Sequence, residues 1–224
     1  MTGLFDFERV SVAGQNGAWR LRDATGTIPP AGITALVGPS GSGKSTLLRC
    51  CNRLEVPTAG VVRWRGDDVA TLDPLTLRRR VGMVFQRPTP FPGSCAENLR
   101  VADPELDDEH AVELLVRVRL DRSFLDREAT QLSGGEAQRL CLARSLAARP
   151  EVVLMDEVTS SLDAGARIAL EELARNLAAD GVQIVWVTHD IAQVRRIADE
   201  VRVVVGGRVA DDDEARAFMQ EAGP

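Results

Sequence analysis

One short stretch, Gly38–Thr46, limits what this chain can fold into more than any other feature. It reads GPSGSGKST and matches the pattern G-x-x-x-x-G-K-[ST]. The apolar run Ile33–Val37 before it predicts a buried strand, and a helix is predicted to begin at Lys44. Glycines in such a turn let several backbone N–H groups converge on one anion, and the helix N-terminus adds a positive end. The segment therefore predicts a loop that binds the phosphates of a nucleoside triphosphate.

Two side chains of this loop have predicted roles of their own. The Lys44 ammonium would reach the outer phosphates, and the Ser45 hydroxyl would be a ligand of Mg²⁺. The strand, the complete motif and the helix agree with one another, which argues against a chance glycine-rich turn. The residues predicted to contact the nucleotide are Gly38, Pro39, Ser40, Gly41, Ser42, Gly43, Lys44, Ser45 and Thr46.

Five further segments narrow the class of protein. They are Val84–Gln86, Leu132–Gln138, Val152–Glu157, Ser160–Asp163 and Val185–Asp190. In composition, order and spacing they resemble the Q-loop, the signature sequence, the Walker B strand with its catalytic acid, the D-loop and the switch-histidine segment of ATP-binding cassette (ABC) ATPases. The resemblance covers essentially the whole chain.

The resemblance implies chemical roles around ATP. Asp156 and Glu157 follow an apolar strand and are expected at its carboxyl end, where nucleotide sites of such sheets lie. Asp156, Ser45 and Gln86 are implied to hold Mg²⁺, and Glu157 is implied to be the general base that polarises the attacking water. His189 is implied to contact the γ-phosphate and, with Gln86, to help position that water.

The signature and D-loop residues are implied to act on the nucleotide of a second copy of the chain. In the family two cassettes pair head to tail, and each ATP lies between the phosphate loop of one and the signature of the other. Both half-sites are intact here, which predicts a homodimer with two active sites. The implied residues are Leu132, Ser133, Gly134, Gly135, Glu136 and Gln138 of the signature, and Ser161, Leu162 and Asp163 of the D-loop.

Composition excludes several other classes. The 224 residues have a net charge of −6, so nothing supports a nucleic-acid partner. The sequence contains no run of 18 apolar residues, so no membrane span is predicted. Residues 1–6 lack the features of a signal peptide. The cysteines have no metal or disulfide spacing and are predicted to be reduced packing thiols in the cytoplasm: Cys50, Cys51, Cys95 and Cys141.

The predicted fold is α/β, a P-loop ABC cassette with a mainly parallel sheet core, an antiparallel β layer and an inserted helical subdomain. Strands are expected at 4–12, 19–28, 33–37, 61–64, 81–85, 152–155, 183–188 and 201–205, and helices at 44–54, 75–80, 94–100, 108–119, 134–147, 163–179 and 190–198, with a short one after 211. Residues 1–224 are predicted to form one ABC ATPase domain, with the core and β layer in 1–86 and 151–224 and the helical subdomain in about 87–150.

Three departures from the family pattern stand out. The chain has no tyrosine, whereas the family usually stacks an aromatic on adenine about two dozen residues before the phosphate loop, where this chain has Val12–Gly14. Trp19 or Phe7 are the candidate substitutes, and a lost stack would weaken ATP binding by roughly 1–3 kcal/mol. Val158 replaces a common proline and Glu136 a common glutamine. Neither of these two is expected to abolish hydrolysis.

The transported solute is the least constrained part. Phe85–Pro92 and Arg139–Arg144 resemble phosphate-import ATPases, whereas the short length, Asp156–Asp163 and Trp186–Asp190 resemble small iron-efflux ABC ATPases. The balance slightly favours efflux, with metal among the candidate solutes, through a separate transmembrane permease at the cytoplasmic face of the cell membrane. Import of phosphate or another anion, and a non-transport soluble ABC ATPase, remain the alternatives.

Overall fold

A computed structural model of the chain describes residues 3–14, 17–160 and 162–221. Backbone contacts divide it into two compact units: unit 1 comprises residues 1–78 and 183–224, and unit 2 comprises residues 79–182. The elements in chain order are β1 (Phe5–Ala13), β2 (Trp19–Ile28), β3 (Ile33–Val37), α1 (Lys44–Cys50), β4 (Ala59–Trp64), β5 (Asp67–Asp68), α2 (Pro74–Arg80), β6 (Val81–Val84), α3 (Cys95–Arg100), α4 (Asp108–Arg117), α5 (Gly134–Ala147), β7 (Val152–Asp156), α6 (Ala164–Ala179), β8 (Gln183–Val187), α7 (Ile191–Ile197), β9 (Glu200–Val205), β10 (Arg208–Val209) and α8 (Asp212–Glu221). Short 3₁₀ turns at Arg122–Phe124 and Ala129–Gln131 lie between α4 and α5.

Unit 1 contains an antiparallel layer and a set of parallel strands. The antiparallel strands lie in the order β2-β1-β4-β5, with Phe5 opposite both Ile28 and Trp64. In the parallel set, β3 lies between β8 and β9, and β10 turns back antiparallel on β9. Every residue of β3 is buried, as expected for a strand covered on both faces.

Unit 2 contains one parallel strand pair and a group of helices. β6 and β7 pair in parallel, and α5 packs against β6. α3 and α4 both pack against α5, so α5 is the central helix among those between β6 and β7 in the chain. In the part of the chain that the structure describes, every helix is too short or too polar to cross a membrane.

The observed elements confirm the predicted α/β class and most of the predicted boundaries to within two residues. The predicted helix 44–54 is wrong at its end, because α1 stops at Cys50 and Arg53 adopts a left-handed φ of 57°. The amide of Leu54 then bonds back to the Arg49 carbonyl at 3.0 Å, which closes the helix with a turn. The two-residue strands β5 and β10 were not predicted, since two residues carry no readable periodicity.

All four cysteines are free and buried, as predicted for packing thiols. Burial raises the pKa of Cys50 to about 12, and it also raises the pKa values of Cys51, Cys95 and Cys141. Because the thiolate is the reactive form, we expect Ellman's reagent to modify roughly none of them in the folded protein within minutes and all of them after denaturation. Rapid modification of one thiol in the folded chain would contradict this burial.

Candidate nucleotide-binding site

The phosphate loop connects β3 to α1 in unit 1, and its backbone tolerates no side chain at two glycines. A Cβ at Gly38, where φ is 145°, would lie 2.0 Å from the Val204 carbonyl oxygen. A Cβ at Gly43, where φ is 103°, would lie 2.6 Å from the Arg20 carbonyl oxygen. Only glycine allows the loop to approach β9 and β2 this closely.

The loop is held in place by its own lysine and by the β9–β10 turn. The Lys44 ammonium donates to the carbonyls of Gly38 and Pro39 at 2.9 and 2.8 Å, and the side chain is 4% exposed. The Gly207 amide donates to the Ser42 carbonyl at 3.1 Å. A buried ammonium, a helix start and a glycine-lined curve together fit a polyphosphate anion.

His189 lies at the same sheet edge as the phosphate loop. β3 and β8 are parallel and pair Leu36 with Val187, and the Thr188 amide donates to the Leu36 carbonyl at 3.2 Å. His189 follows directly and is exposed, while the Asp190 carboxylate caps α7. Unit 1 therefore brings together the two candidate residue sets that the sequence placed about 150 positions apart, since carboxyl ends of parallel strands share an edge.

The remaining candidate catalytic groups lie in unit 2, at or just after the carboxyl ends of β6 and β7. Asp156 ends β7 and is 2% exposed, and Glu157 follows it half-buried. The Gln86 side-chain amide donates to the Ser160 hydroxyl at 3.3 Å, which places Gln86 beside the loop that follows the two acids. Carboxylate and amide carbonyl oxygens, such as those of Asp156 and Gln86, are ligands that suit Mg²⁺.

Glu157 has a backbone conformation that is unusual for its type. Its φ is 48°, in the left-handed region, where non-glycine residues are uncommon and concentrate at functional sites. A turn follows, in which the Ser160 amide donates to the Glu157 carbonyl at 3.1 Å. In the predicted D-loop, Asp163 caps α6, Leu162 is half-buried, and Ser161 lies outside the described residues.

The signature segment forms the N-terminus of α5, with Ser133 as the exposed N-cap and Gly134 open to solvent. The Glu136 carboxylate accepts from both the amide and the hydroxyl of Ser133, each at 2.8 Å, and Arg127 lies 3.7 Å from it. The Ser133 amide, with its hydroxyl as the next contribution, lowers the pKa of Glu136. Glu136 therefore carries its negative charge at the start of the helix.

Other signature residues face inward. Leu132 and Gly135 are half-buried, and Gln138 is 1% exposed. The Gln138 side-chain amide donates to the Phe85 carbonyl at 3.0 Å, one residue before Gln86. Gln138 thus links α5 to the Q-loop backbone, a contact that its position in the signature did not predict.

The sequence also did not predict the contacts from Asn98 and Arg144 that hold the proline-rich loop 87–93 in place. Asn98, 1% exposed, accepts from the Phe91 amide at 2.8 Å and donates to the Phe91 carbonyl at 3.0 Å. Arg144 lies over the Phe91 ring at 4.4 Å and donates to the Thr89 carbonyl at 3.1 Å. The sequence contained one indication of these contacts, because Asn98 is a polar residue on the buried face of a predicted helix. Buried polar groups are nearly always hydrogen-bonded.

The two aromatic residues considered as stacking partners of the nucleobase differ in their exposure to solvent. Phe7 is 2% exposed inside β1, so the hypothesis that it stacks on a base is wrong. Trp19 is 50% exposed at the start of β2.

These features define the class of protein: an α/β nucleoside triphosphatase with a phosphate loop, an acidic strand end and a capped signature helix. A family model described as ABC transporter matches residues 21–160. The chain therefore belongs to the ABC transporter family, and its predicted ABC cassette fold is confirmed. It is an ATP-hydrolysing subunit of that family, whose members bind ATP, typically with Mg²⁺.

Relatives from plants and bacteria agree with this assignment. "ABC transporter I family member 17" of Arabidopsis thaliana is 41% identical over 93% of this chain and 80% of its own length. "Protein STAR1" of Oryza sativa subsp. japonica is 42% identical over 85% of this chain, which spans 57% of that relative. Among solved structures, cbiO1 of Clostridium perfringens, part of the ABC transporter complex cbiONQ, is 25% identical with a TM-score of 0.82, covering 99% of this chain and 93% of that chain. A bacterial Atm1-family ABC exporter with ATP bound is 25% identical with a TM-score of 0.85, covering 97% and 41%.

Proposed function

We propose that this chain hydrolyses ATP to drive solute movement through a separate transmembrane subunit, to which it binds at the cytoplasmic face of the cell membrane. The cbiO1 structure, a part of a transporter complex, is covered over 93% of its length and supports a separate-subunit arrangement. The motif likenesses to small efflux ATPases slightly favour efflux, with metal among the candidate solutes. Import of an anion is the alternative, and it rests on Phe85–Pro92.

The observation that supports this proposal most strongly is the exposure of two aromatic side chains close to Gln86 in the chain. Phe85 and Phe91 are 39% and 45% exposed, although loop 87–93 is held by Asn98 and Arg144. Large apolar side chains that are fixed and still face solvent favour a protein partner. Because the loop follows Gln86 directly, movement at the acidic edge of unit 2 would reach that partner.

For nucleotide binding, we propose that the phosphates lie in the loop of unit 1. The Lys44 ammonium would exchange its carbonyl contacts for phosphate oxygens, and the amides of the loop would donate to the β- and γ-phosphates. Ser45, Gln86 and Asp156 are the residues that would hold Mg²⁺. When bound, this ion neutralises phosphate charge.

For hydrolysis, we propose that the Glu157 carboxylate accepts a hydrogen bond from the attacking water and takes its proton as the water oxygen bonds to the γ-phosphorus. The bond between the γ-phosphorus and the β–γ bridging oxygen breaks in the same step, and ADP leaves with that oxygen. The His189 imidazole would contact the γ-phosphate, and the Gln86 amide would orient the water. Glu157 begins this work from a backbone conformation already fixed by the following turn. Little reorganisation is then needed at the moment of reaction.

The signature of a second copy would complete each site. Ser133 and Gly134 are exposed at a 14-residue helix start, so they are open to a phosphate from another chain. A head-to-tail homodimer would contain two such sites. ATP would close the dimer, and hydrolysis would reopen it.

Affinity purification from native membranes, followed by mass spectrometry, tests the transport role. We expect a polytopic membrane protein to co-purify, and its identity would distinguish metal efflux from anion import. A Phe91→Ala variant should lose this protein while keeping ATP turnover of the isolated chain. Purification with soluble partners alone, from a preparation with active ATPase, would contradict the transport role.

We expect Glu136→Gln to strengthen ATP-dependent dimer formation by about fivefold. The glutamine oxygen can still cap α5, but the negative charge beside the incoming phosphate is removed, and a partly exposed charge contributes on the order of 1 kcal/mol. The measurement is the ATP concentration that half-saturates dimer formation, by analytical ultracentrifugation of the Glu157→Gln protein. Glu97→Gln is the matched control, since Glu97 makes the same capping box with Ser94 on α3. Weaker dimers from Glu136→Gln would contradict the electrostatic argument.

A further inference from the structure

Two side-chain hydrogen bonds join helix α5 of unit 2 to the segment that leads into Gln86. The Gln138 side-chain amide donates to the Phe85 carbonyl at 3.0 Å, and the Ser145 hydroxyl donates to the Met83 carbonyl at 3.3 Å. The two side chains are seven residues apart, close to two helical turns, so they lie on the same face of α5. Because α5 also packs against β6, the helix is fixed to the end of this strand.

Of these two bonds, the one from Gln138 is the closer to Gln86 in the chain. Phe85 immediately precedes Gln86, so the carbonyl that Gln138 holds belongs to the same peptide unit as the Gln86 nitrogen. The peptide unit is planar, so fixing its oxygen also fixes the direction in which Gln86 leaves the strand. Gln138 is 1% exposed, and water therefore competes little for this bond.

The Gln86 side chain extends the contact to the loop that carries Glu157. Its amide donates to the Ser160 hydroxyl at 3.3 Å, and the Ser160 amide donates to the Glu157 carbonyl at 3.1 Å. Successive hydrogen bonds within unit 2 thus connect Gln138 to the residue proposed as the base. Chains of hydrogen bonds between packed groups can transmit energetic coupling.

The same helix carries the signature at its N-terminus. Ser133 caps α5 and forms a capping box with Glu136, which fixes the first turn of the helix. From Ser133 to Gln138 the helix rises by about 7.5 Å. The exposed helix start is open to the phosphate of a second copy, whereas the buried Gln138 faces its own chain.

We propose that Gln138 is a positioning residue for Gln86 of its own chain and acts through the Phe85 carbonyl. Docking of the signature on the nucleotide of a second copy would then favour the orientation that Gln86 needs for hydrolysis in its own site. This inference rests on the proposed head-to-tail dimer and its catalytic site. It differs from the role implied by the signature, in which Gln138 acts on the nucleotide of the second copy.

Mixed dimers distinguish these two roles. A small amount of chain with intact Glu157 is mixed with a large excess of Glu157→Gln chain, so that nearly every intact chain is paired with a signature from the excess chain. Rapid quenching of a single turnover of Mg·ATP gives the rate of hydrolysis in the intact chain's own site. Gln138→Met removes the donor and keeps an unbranched side chain, and it is placed either in the intact chain or in the excess chain.

We expect Gln138→Met to slow the single turnover about 5- to 100-fold in the intact chain and less than about twofold in the excess chain. The second result would also show that the variant folds and presents its signature. Circular dichroism on heating checks the folding of each chain, and Gln138→Leu is used if Gln138→Met does not fold.

Ser145→Ala in the intact chain is the matched control, because it removes the other bond from α5 to this segment. Its rate should stay close to that of the intact chain. Equal slowing by Gln138→Met in both positions, slowing in the excess chain alone, or slowing in neither would overturn the proposal.

A double-variant cycle in unmixed chains tests whether Gln138 acts through Gln86. Gln86→Ala should lower steady-state turnover, and adding Gln138→Met should lower it little further, because the side chain that it positions is already absent. Two effects that multiply would indicate a general structural role for Gln138 and would count against the proposal.

The two proposals can fail separately. If Gln86→Ala or Glu157→Gln, present in both copies, hydrolyses ATP as fast as the intact chain, the proposed catalytic site is wrong. If both variants are slow but the mixed dimers or the cycle give the contrary results, the positioning role of Gln138 alone is overturned.

Discussion

Replacing Glu157 with glutamine is expected to lower steady-state ATP turnover by about 10²- to 10⁴-fold while ATP binding stays close to wild type. Glutamine has the shape of glutamate and can occupy the same left-handed backbone position, so the loop after β7 keeps its turn. It cannot accept the proton of the attacking water, because an amide is not a base near neutral pH. The variant should therefore bind ATP normally and yet hydrolyse it far more slowly than the wild-type protein.

The same variant is expected to accumulate an ATP-bound closed dimer, because the step that reopens it is removed. Phosphate release gives the turnover, and size-exclusion chromatography with and without Mg·ATP gives the dimer. Glu151→Gln is a matched control, since Glu151 precedes the opposite end of β7 and pairs with Arg80 on the surface. Its turnover should match wild type, given the small contribution of exposed ion pairs. Unchanged turnover in Glu157→Gln would overturn the assignment of the base.

The structural elements around the candidate site that the sequence predicted correctly are those encoded by neighbouring residues. β3 and β7 are continuous apolar runs, and the phosphate loop places its glycines and Lys44 within nine positions. His189 follows an apolar run in the same way. In each case a strand and the group at its end are adjacent in the chain, so local pattern was sufficient.

The contacts that were not predicted join distant residues. Gln138 reaches the Phe85 carbonyl across 53 positions, and Arg144 reaches Thr89 across 55. Such hydrogen bonds depend on how α5 packs, which no local period encodes. Phe7 is different, because Phe5 and Phe7 alternate on one face of β1, and this alternation already indicated that Phe7 points into the core.

Replacing Gly38 with alanine is expected to abolish measurable nucleotide binding, with at least about a 100-fold loss of affinity. At φ 145° the new Cβ would lie 2.0 Å from the Val204 carbonyl oxygen, a contact that real Cβ atoms do not make. Val204 cannot move aside cheaply, because it is fully buried in β9 and paired with Val209. The loop must therefore leave its position, which carries Lys44 away from the phosphates.

The cost in stability should be about 2–5 kcal/mol, the combined size of backbone strain and overpacking. Gly181→Ala separates strain from the clash, because Gly181 also has a positive φ, 92°, but nothing lies within 4 Å of its Cβ. We expect Gly181→Ala to lose about 1–2 kcal/mol of stability and to bind ADP like wild type. Circular dichroism on heating gives the stability and calorimetry the affinity. If Gly38→Ala folds and binds ADP as tightly as Gly181→Ala, then the close approach of the loop to β9 is not required for the phosphate site.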